Sequence, residues 1–191
     1  MSPSEAPVRP DPADTAARFG AMVGAAAVSS EYGTAKVVVS RQAWVETHRV
    51  LKEHLPFFSY LSAIDWRNQV RVGDPPEGGP VEERFEVVTR LSDVSAGEAL
   101  IVSTDLPRDA ALPSLVGVYA GADWHEREAA EMFGIVFEGH PNLVNLYLPD
   151  GFEGHPLLKS FPLLSREVKP WPGTVDVEDM PSTENLEGGE G

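Results

Sequence analysis

Arg84-Phe85-Glu86-Val87-Val88-Thr89-Arg90-Leu91 and Leu100-Ile101-Val102-Ser103 read as two strands separated by a turn. Phe85, Val87, Thr89 and Leu91 alternate with charged and smaller residues, the two-residue period of a strand with one buried face. Asp93 to Gly97 supplies the turn, and an antiparallel hairpin is the simplest connection. Upstream, Thr15 to Ser29 is alanine-rich, with Phe19, Met22 and Val23 near helical spacing, and predicts a helix. Ala35 to Val39 predicts a strand, and Ser40 caps a helix through His54 carrying Trp44, Val45, His48, Leu51 and Leu55. Pro56 stops that helix, and Phe57 to Ile64 predicts a strand closed by Asp65-Trp66. Asp74 to Pro80, Asp-Pro-Pro-Glu-Gly-Gly-Pro, predicts an exposed loop. Downstream, Pro113 to Phe133 predicts helix, broken at Gly121 and restarted at Asp123 as an N-cap boxed by Glu126, with Gly134 as C-cap. This order predicts an α+β fold: a mostly antiparallel sheet with helices packed on one face, followed by an extended C-terminal strap.

The chain has 191 residues with 15 basic and 30 acidic side chains, a formal charge of −15, and no cysteine. Without cysteine there are no disulfides, thiolate-ligated iron–sulfur clusters, cysteine-type zinc sites or cysteine nucleophiles. The negative charge repels phosphate backbones and anionic headgroups, arguing against nucleic-acid or polybasic membrane binding. No run approaches the roughly 20 apolar residues of a bilayer span, and the N-terminus lacks a positive n-region, which predicts a chain made and kept in the cytoplasm. Gly-x-Gly-x-x-Gly, Gly-Lys-Ser/Thr and Gly-x-Ser-x-Gly signatures are all missing.

Three constellations follow. On the helix Glu126-Arg127-Glu128-Ala129-Ala130-Glu131-Met132-Phe133-Gly134, Arg127 and Glu131 stand one turn apart, and Glu128 approaches Glu131. Paired carboxylates beside His125 allow acid/base work, but a charged face that docks on a neighbour or faces water is the more economical reading. Glu138-Gly139-His140-Pro141 recurs as Glu153-Gly154-His155-Pro156. Two His and two Glu permit a small zinc or iron enzyme as the rival reading. The chemistry of Gly-His-Pro favours turns in which glycine takes a positive φ and the imidazole ties a loop to backbone groups. Leu157-Leu158-Lys159-Ser160-Phe161-Pro162-Leu163-Leu164 is either a buried edge strand or a strap filling grooves on another subunit, and Pro162 favours the strap. The tail from Glu167, rich in acid and poor in apolar residues, predicts disorder when alone.

Together, Ala122-Asp123-Trp124-His125-Glu126-Arg127-Glu128, Met132-Phe133-Gly134-Ile135, Phe137-Glu138-Gly139-His140-Pro141, Gly154-His155-Pro156-Leu157, Lys159 and Phe161-Pro162-Leu163 resemble the signature of the C-type subunit of respiratory NADH-quinone oxidoreductase, the 30-kilodalton subunit family of complex I. The likeness is tightest over residues 120 to 164 and looser over 35 to 120. The family usually has Asp at Glu131, an Arg near Asn145, an Arg at Leu158 and an Asp at Ser160. The resemblance implies a structural subunit of the peripheral arm with no catalytic, cofactor or metal residues of its own, on the cytoplasmic side of the cell membrane. FMN, iron–sulfur clusters and quinone belong in partner subunits, chiefly the large quinone-site (D-type) subunit and neighbouring cluster-bearing subunits. It also implies that Glu126, Arg127, Glu128, Glu131, Phe133, Gly134, Gly139, His140, Pro141, Gly154, His155, Pro156, Leu157, Lys159, Phe161 and Pro162 act in structure and interface. Membrane-bound hydrogenase complexes share parts of this signature, so a scaffold in such a complex is the alternative. The expected organisation is a leader over 1–14, an α+β domain over 15–135, a strap over 136–166 and an acidic tail over 167–191.

Overall fold

The structure, a computed structural model, describes residues 10–67 and 82–162. The loop expected at Asp74 to Pro80, Leu163-Leu164 and the acidic tail lie outside these residues. Helix α1 spans Pro12–Val23. Its start falls inside the expected leader, because Asp11 accepts the Ala13 N–H at 2.8 Å and Pro12 suits the first helical position. It also ends earlier than the alanine content suggests. Gly24 takes the left-handed conformation and returns its N–H to Gly20, and Ala27–Ser29 becomes strand β1. The returning strand lies so close that a Cβ on Gly20 would sit 2.4 Å from Val28 Cγ1.

Strand β2 is Ala35–Val38. Ser40 caps as expected, accepting from the Ala43 N–H at 3.3 Å, but the first turn (Arg41–Ala43) is a tight 3₁₀ turn before α2, Trp44–Lys52. Strands β3 (Phe57–Asp65), β4 (Phe85–Asp93) and β5 (Glu98–Leu106) follow. The sheet order is β1-β2-β5-β4-β3. Three of its pairings are antiparallel, and β2 runs parallel to β5. The expected β4–β5 hairpin is present, with Thr89 opposite Val102 and Leu91 opposite Leu100.

The helices lie against one face of this sheet. Phe19, Trp44, Leu51, Val87, Leu91, Leu100 and Val102 are fully buried there. Thr89 stands in the middle of that apolar face because it has a buried partner. His48 donates its Nδ1–H to the Trp44 carbonyl at 2.7 Å and accepts from the Thr89 hydroxyl at 2.8 Å through Nε2. Burial disfavours the imidazolium and, against the pull of the Trp44 carbonyl, lowers the His48 pKa to about 4.

The expected helical start at Pro113 is replaced by a two-residue strand. Leu112–Pro113 (β6) pairs in parallel with Phe137–Glu138 (β7). The donors in that pairing are Leu112, to the Val136 carbonyl, and Ser114, to the Glu138 carbonyl, both at 2.9 Å. Pro113 is therefore asked for no N–H and is tolerated. A single helical turn closes on Leu115, whose carbonyl accepts from Val118 and Tyr119, and α3 then runs Ala122–Phe133. No helix among the described residues is long and apolar enough to cross a membrane.

Candidate functional site

The signature residues gather around α3. The two Gly-His-Pro turns sit at its opposite ends, each with its imidazole bonded to helix backbone. At the C-terminal end, His155 Nδ1 donates to the Glu131 carbonyl at 2.7 Å, Leu157 donates to the Met132 carbonyl at 3.0 Å, and Gly134 donates to the Ala130 carbonyl at 2.9 Å. These bonds satisfy carbonyls of the kind that a helix end leaves without an internal partner. At the N-terminal end, His140 Nδ1 accepts the Asn142 N–H at 3.0 Å, which assigns the proton to Nε2. Nε2 donates to the Asp123 carbonyl at 3.2 Å, with Asp123 Oδ1 at 3.3 Å and Glu126 Oε2 at 4.0 Å.

Gly139 (φ 78°) and Gly154 (φ 91°) both hold the positive φ expected of them. Their surroundings differ. A Cβ at Gly139 would meet nothing within 4 Å, whereas one at Gly154 would lie 3.0 Å from the Phe161 ring. Gly134 is more confined than either, with φ 76° and the His155 ring 2.8 Å from where a Cβ would stand.

The carboxylates of α3 do something other than pair along the helix. Glu131 is buried, and its two oxygens accept from Leu146 (3.1 Å), Tyr147 (3.0 Å) and Leu148 (2.7 Å) main-chain N–H groups. Burial pushes its pKa up, but the three amides and the nearby Arg127 more than offset this and hold it below the usual carboxylate range. Arg127 itself donates to the Val144 carbonyl at 2.9 Å and the Asn145 carbonyl at 3.2 Å. The i, i+4 ion pair expected between Arg127 and Glu131 is thus replaced: the two side chains grip successive stretches of one loop, with donors on one side and an acceptor on the other. Glu128 forms no hydrogen bond or ion pair among the described residues, so the expected Glu128–Glu131 couple is also replaced.

Glu126 is fully buried and accepts from Leu115 N–H and Ser114 Oγ, each at 2.6 Å. This corrects the expected capping box. Glu126 reaches the β6 segment instead of the helix start, and Gly121 stands at the N-cap without a side-chain bond. Burial raises the Glu126 pKa, partly countered by Ser114, Leu115 and His140.

At the end of α3, Phe133 meets Phe85 of β4 edge-on at 6.3 Å, and along the strap Phe161 stacks on Phe152 at 6.1 Å. Residues 157–161 form turns and no ladder, which removes the edge-strand reading. Leu158 packs on the core, Leu157 is 52% exposed, and Pro141 and Pro162 are exposed while Pro156 is half-buried. The Lys159 N–H reaches Asp65 Oδ2 at 3.0 Å. Asp65 is a strap anchor that sequence reasoning missed. It is buried at the end of β3, accepts from Arg67 N–H at 2.9 Å and pairs with Arg108, which lies over the Phe85 ring. Its signal was an acidic residue closing an apolar strand. Between α3 and the strap lies a cleft of about 490 Å³, lined by Arg127, Glu131, Ile135, Val144, Phe152 and His155 among others.

The four residues of the metal reading are not brought together. His140 and His155 are separated along α3, Glu138 and Glu153 are exposed, and among the described residues no group of three His, Asp or Glu is placed to hold an ion.

The fold and this clamp define an α+β domain whose polar residues fasten its own C-terminal strap. The family model described as "Respiratory-chain NADH dehydrogenase, 30 Kd subunit" matches residues 37–167, and the chain belongs to that family. It is 37% identical over 145 residues to the C-type subunit of the NADH-quinone oxidoreductase of Rhodopseudomonas palustris (strain TIE-1), covering 75% of this chain and 67% of that protein. It is 42% identical over 102 residues to the corresponding NADH-quinone oxidoreductase subunit of Rhodobacter capsulatus, covering 53% of this chain and 45% of that one. The fold resembles, with a TM-score of 0.65 and 23% identity, a chain in the structure of the membrane-bound sulfane sulfur reductase, an archaeal respiratory membrane complex; the match covers 80% of this chain and 86% of the other.

Proposed function

We propose that this chain is a non-catalytic structural subunit in the peripheral arm of a proton-translocating NADH:quinone oxidoreductase, held at the cytoplasmic side of the membrane by its neighbours. In this reading, FMN, the iron–sulfur centres and the quinone reside in partner subunits. The strap lies against the large quinone-site subunit, and this chain keeps cluster-bearing neighbours in fixed relation. The observation that carries the reading is how the signature side chains are used. His140, His155, Arg127, Glu126 and Glu131 are bonded to main-chain atoms or to Ser114. Their chemistry goes into shape, and the strap they shape turns Val136, Val144, Tyr147, Phe152 and Leu157 outward as apolar contact surface.

Purifying the respiratory complex from membranes of the native host through a tag on this chain tests the proposal. Co-purification of NADH:quinone activity with the chain in the peripheral arm is the expected result, and a complex that is active without the chain overturns it. The likeness to a sulfane sulfur reductase chain favours a second reading, a scaffold in a hydrogenase-like respiratory complex. Deleting the chain separates the two: loss of NADH oxidation by membrane vesicles supports the first, and loss of hydrogen- or sulfur-linked turnover alone supports the second.

A further inference from the structure

The helices cover one face of the five-stranded sheet, and no helix or strand among the described residues packs on the opposite face, where side chains such as Trp66 over Glu86 give only local cover. Across it run Val38, Ile101 and Val88, half-buried, with Ile64 41% exposed at the far edge. The charges on this face are not evenly matched. Lys36 pairs with Glu86, and Arg84 with Asp105 at 2.7 Å. Arg90, set between Ile101 and Tyr60 in the ladder, forms no hydrogen bond or ion pair among the described residues. The face is net positive on a chain of formal charge −15. A sheet face that sets half-buried aliphatics among polar side chains, with a half-buried guanidinium that has no ion pair among the described residues, is matched by an element offering an apolar stripe and a carboxylate. A second copy of this chain is a poor match, since it would set Arg90 near its own counterpart and bring two strongly acidic molecules together.

We propose that this open face is a second docking surface, separate from the strap, for an amphipathic helix of a partner protein. The helix lays its apolar stripe over Val38, Ile101 and Val88 and sets an acidic side chain against Arg90. The inference rests on the reading of the chain as an assembly subunit, and it adds a contact on the side of the sheet away from α3.

The test places the photocrosslinker p-benzoylphenylalanine at exposed Ser62 on the open face and, separately, at exposed Val136 beside the strap, each in the complex purified from native membranes. The expected result is a Ser62 crosslink to one polypeptide, mapped to an acidic amphipathic helix. Its yield falls at least tenfold in Arg90→Glu and is largely kept in Arg90→Lys, while the Val136 crosslink is unchanged in both. A Ser62 position that is silent, that links to a second copy, or that links to a segment without acidic residues overturns the inference while Val136 still reports the strap contact. If both positions are silent, the subunit reading itself falls, and this inference with it.

Discussion

The imidazole of His155 donates to the main-chain carbonyl of Glu131 at 2.7 Å, while the carboxylate of the same glutamate accepts from amides of the 146–148 loop. One residue of α3 is thereby held at its backbone by the second Gly-His-Pro turn, and at its side chain holds the loop leading to that turn. Removing the His155 bond leaves a helix-end carbonyl without its partner. His155→Ala should lower unfolding stability by about 1–3 kcal/mol in urea titrations. His140→Gln should cost less, because an amide can keep one of the two bonds at the other end of the helix.

The glycines rank by what surrounds them. Gly134→Val and Gly154→Val combine a forbidden φ with a clash against His155 or Phe161, and each should cost about 1–3 kcal/mol and impair assembly of the complex. Gly139→Val meets no neighbour at its Cβ and carries the φ penalty without such a clash, so its melting temperature should stay closer to that of the unaltered protein. Equal shifts at all three positions, measured by calorimetry, would contradict this ranking.

Glu131→Gln turns one acceptor into a donor facing main-chain N–H groups, so hydrogen exchange at Leu146, Tyr147 and Leu148 should accelerate while exchange in β4 and β5 stays unchanged. In the unaltered protein the pH dependence has a definite sign. The folded pKa of Glu131 is depressed, so its contribution is present above the ordinary carboxylate pKa and is lost as pH falls through the lowered value. Protection of those three amides, corrected for intrinsic exchange, should persist below about pH 4.3 and then fail.

His48 acts in a different window. Its folded pKa of about 4 lies below the ordinary value of 6.5, so between these values the unfolded chain binds the extra proton. Stability should fall as pH drops through this range, by about 2 kcal/mol between roughly pH 7 and pH 5. His48→Gln should be less stable at neutral pH but show a flatter profile, which urea titrations at several pH values would reveal.

Asp65→Asn keeps the size of the anchor and removes its charge, weakening its hold on Arg108 and on the Lys159 N–H. Limited proteolysis after Lys159 should become faster, with the sheet intact by circular dichroism. An unchanged cleavage rate would mean that the strap is held elsewhere.

Most of the sheet was legible because β4 and β5 alternate cleanly and Pro56 punctuates the chain. The short elements were less so. Ala27–Ser29 looked helical because alanine favours helix, and the close packing of Val28 against Gly20 together with pairing to β2 overrides that local preference. Pro113 looked like a helix start because its role depends on a parallel partner at Phe137–Glu138, which local patterning cannot register. At the site, the Gly-His-Pro repeat showed its turn geometry in the sequence, since both glycine and proline constrain the backbone locally. The targets of Arg127, Glu126 and Glu131 were hidden for the opposite reason: main-chain acceptors and donors leave no mark in a side-chain alphabet.

The C-terminal carbonyls of α3 find partners in His155 and Leu157, well further along the chain. On the ribosome, the core sheet can therefore form first, while α3 waits with a ragged end until the segment that completes it emerges. A polypeptide cut off before His155 would keep its β-structure and carry a fraying helix, a product that quality-control proteases are suited to recognise.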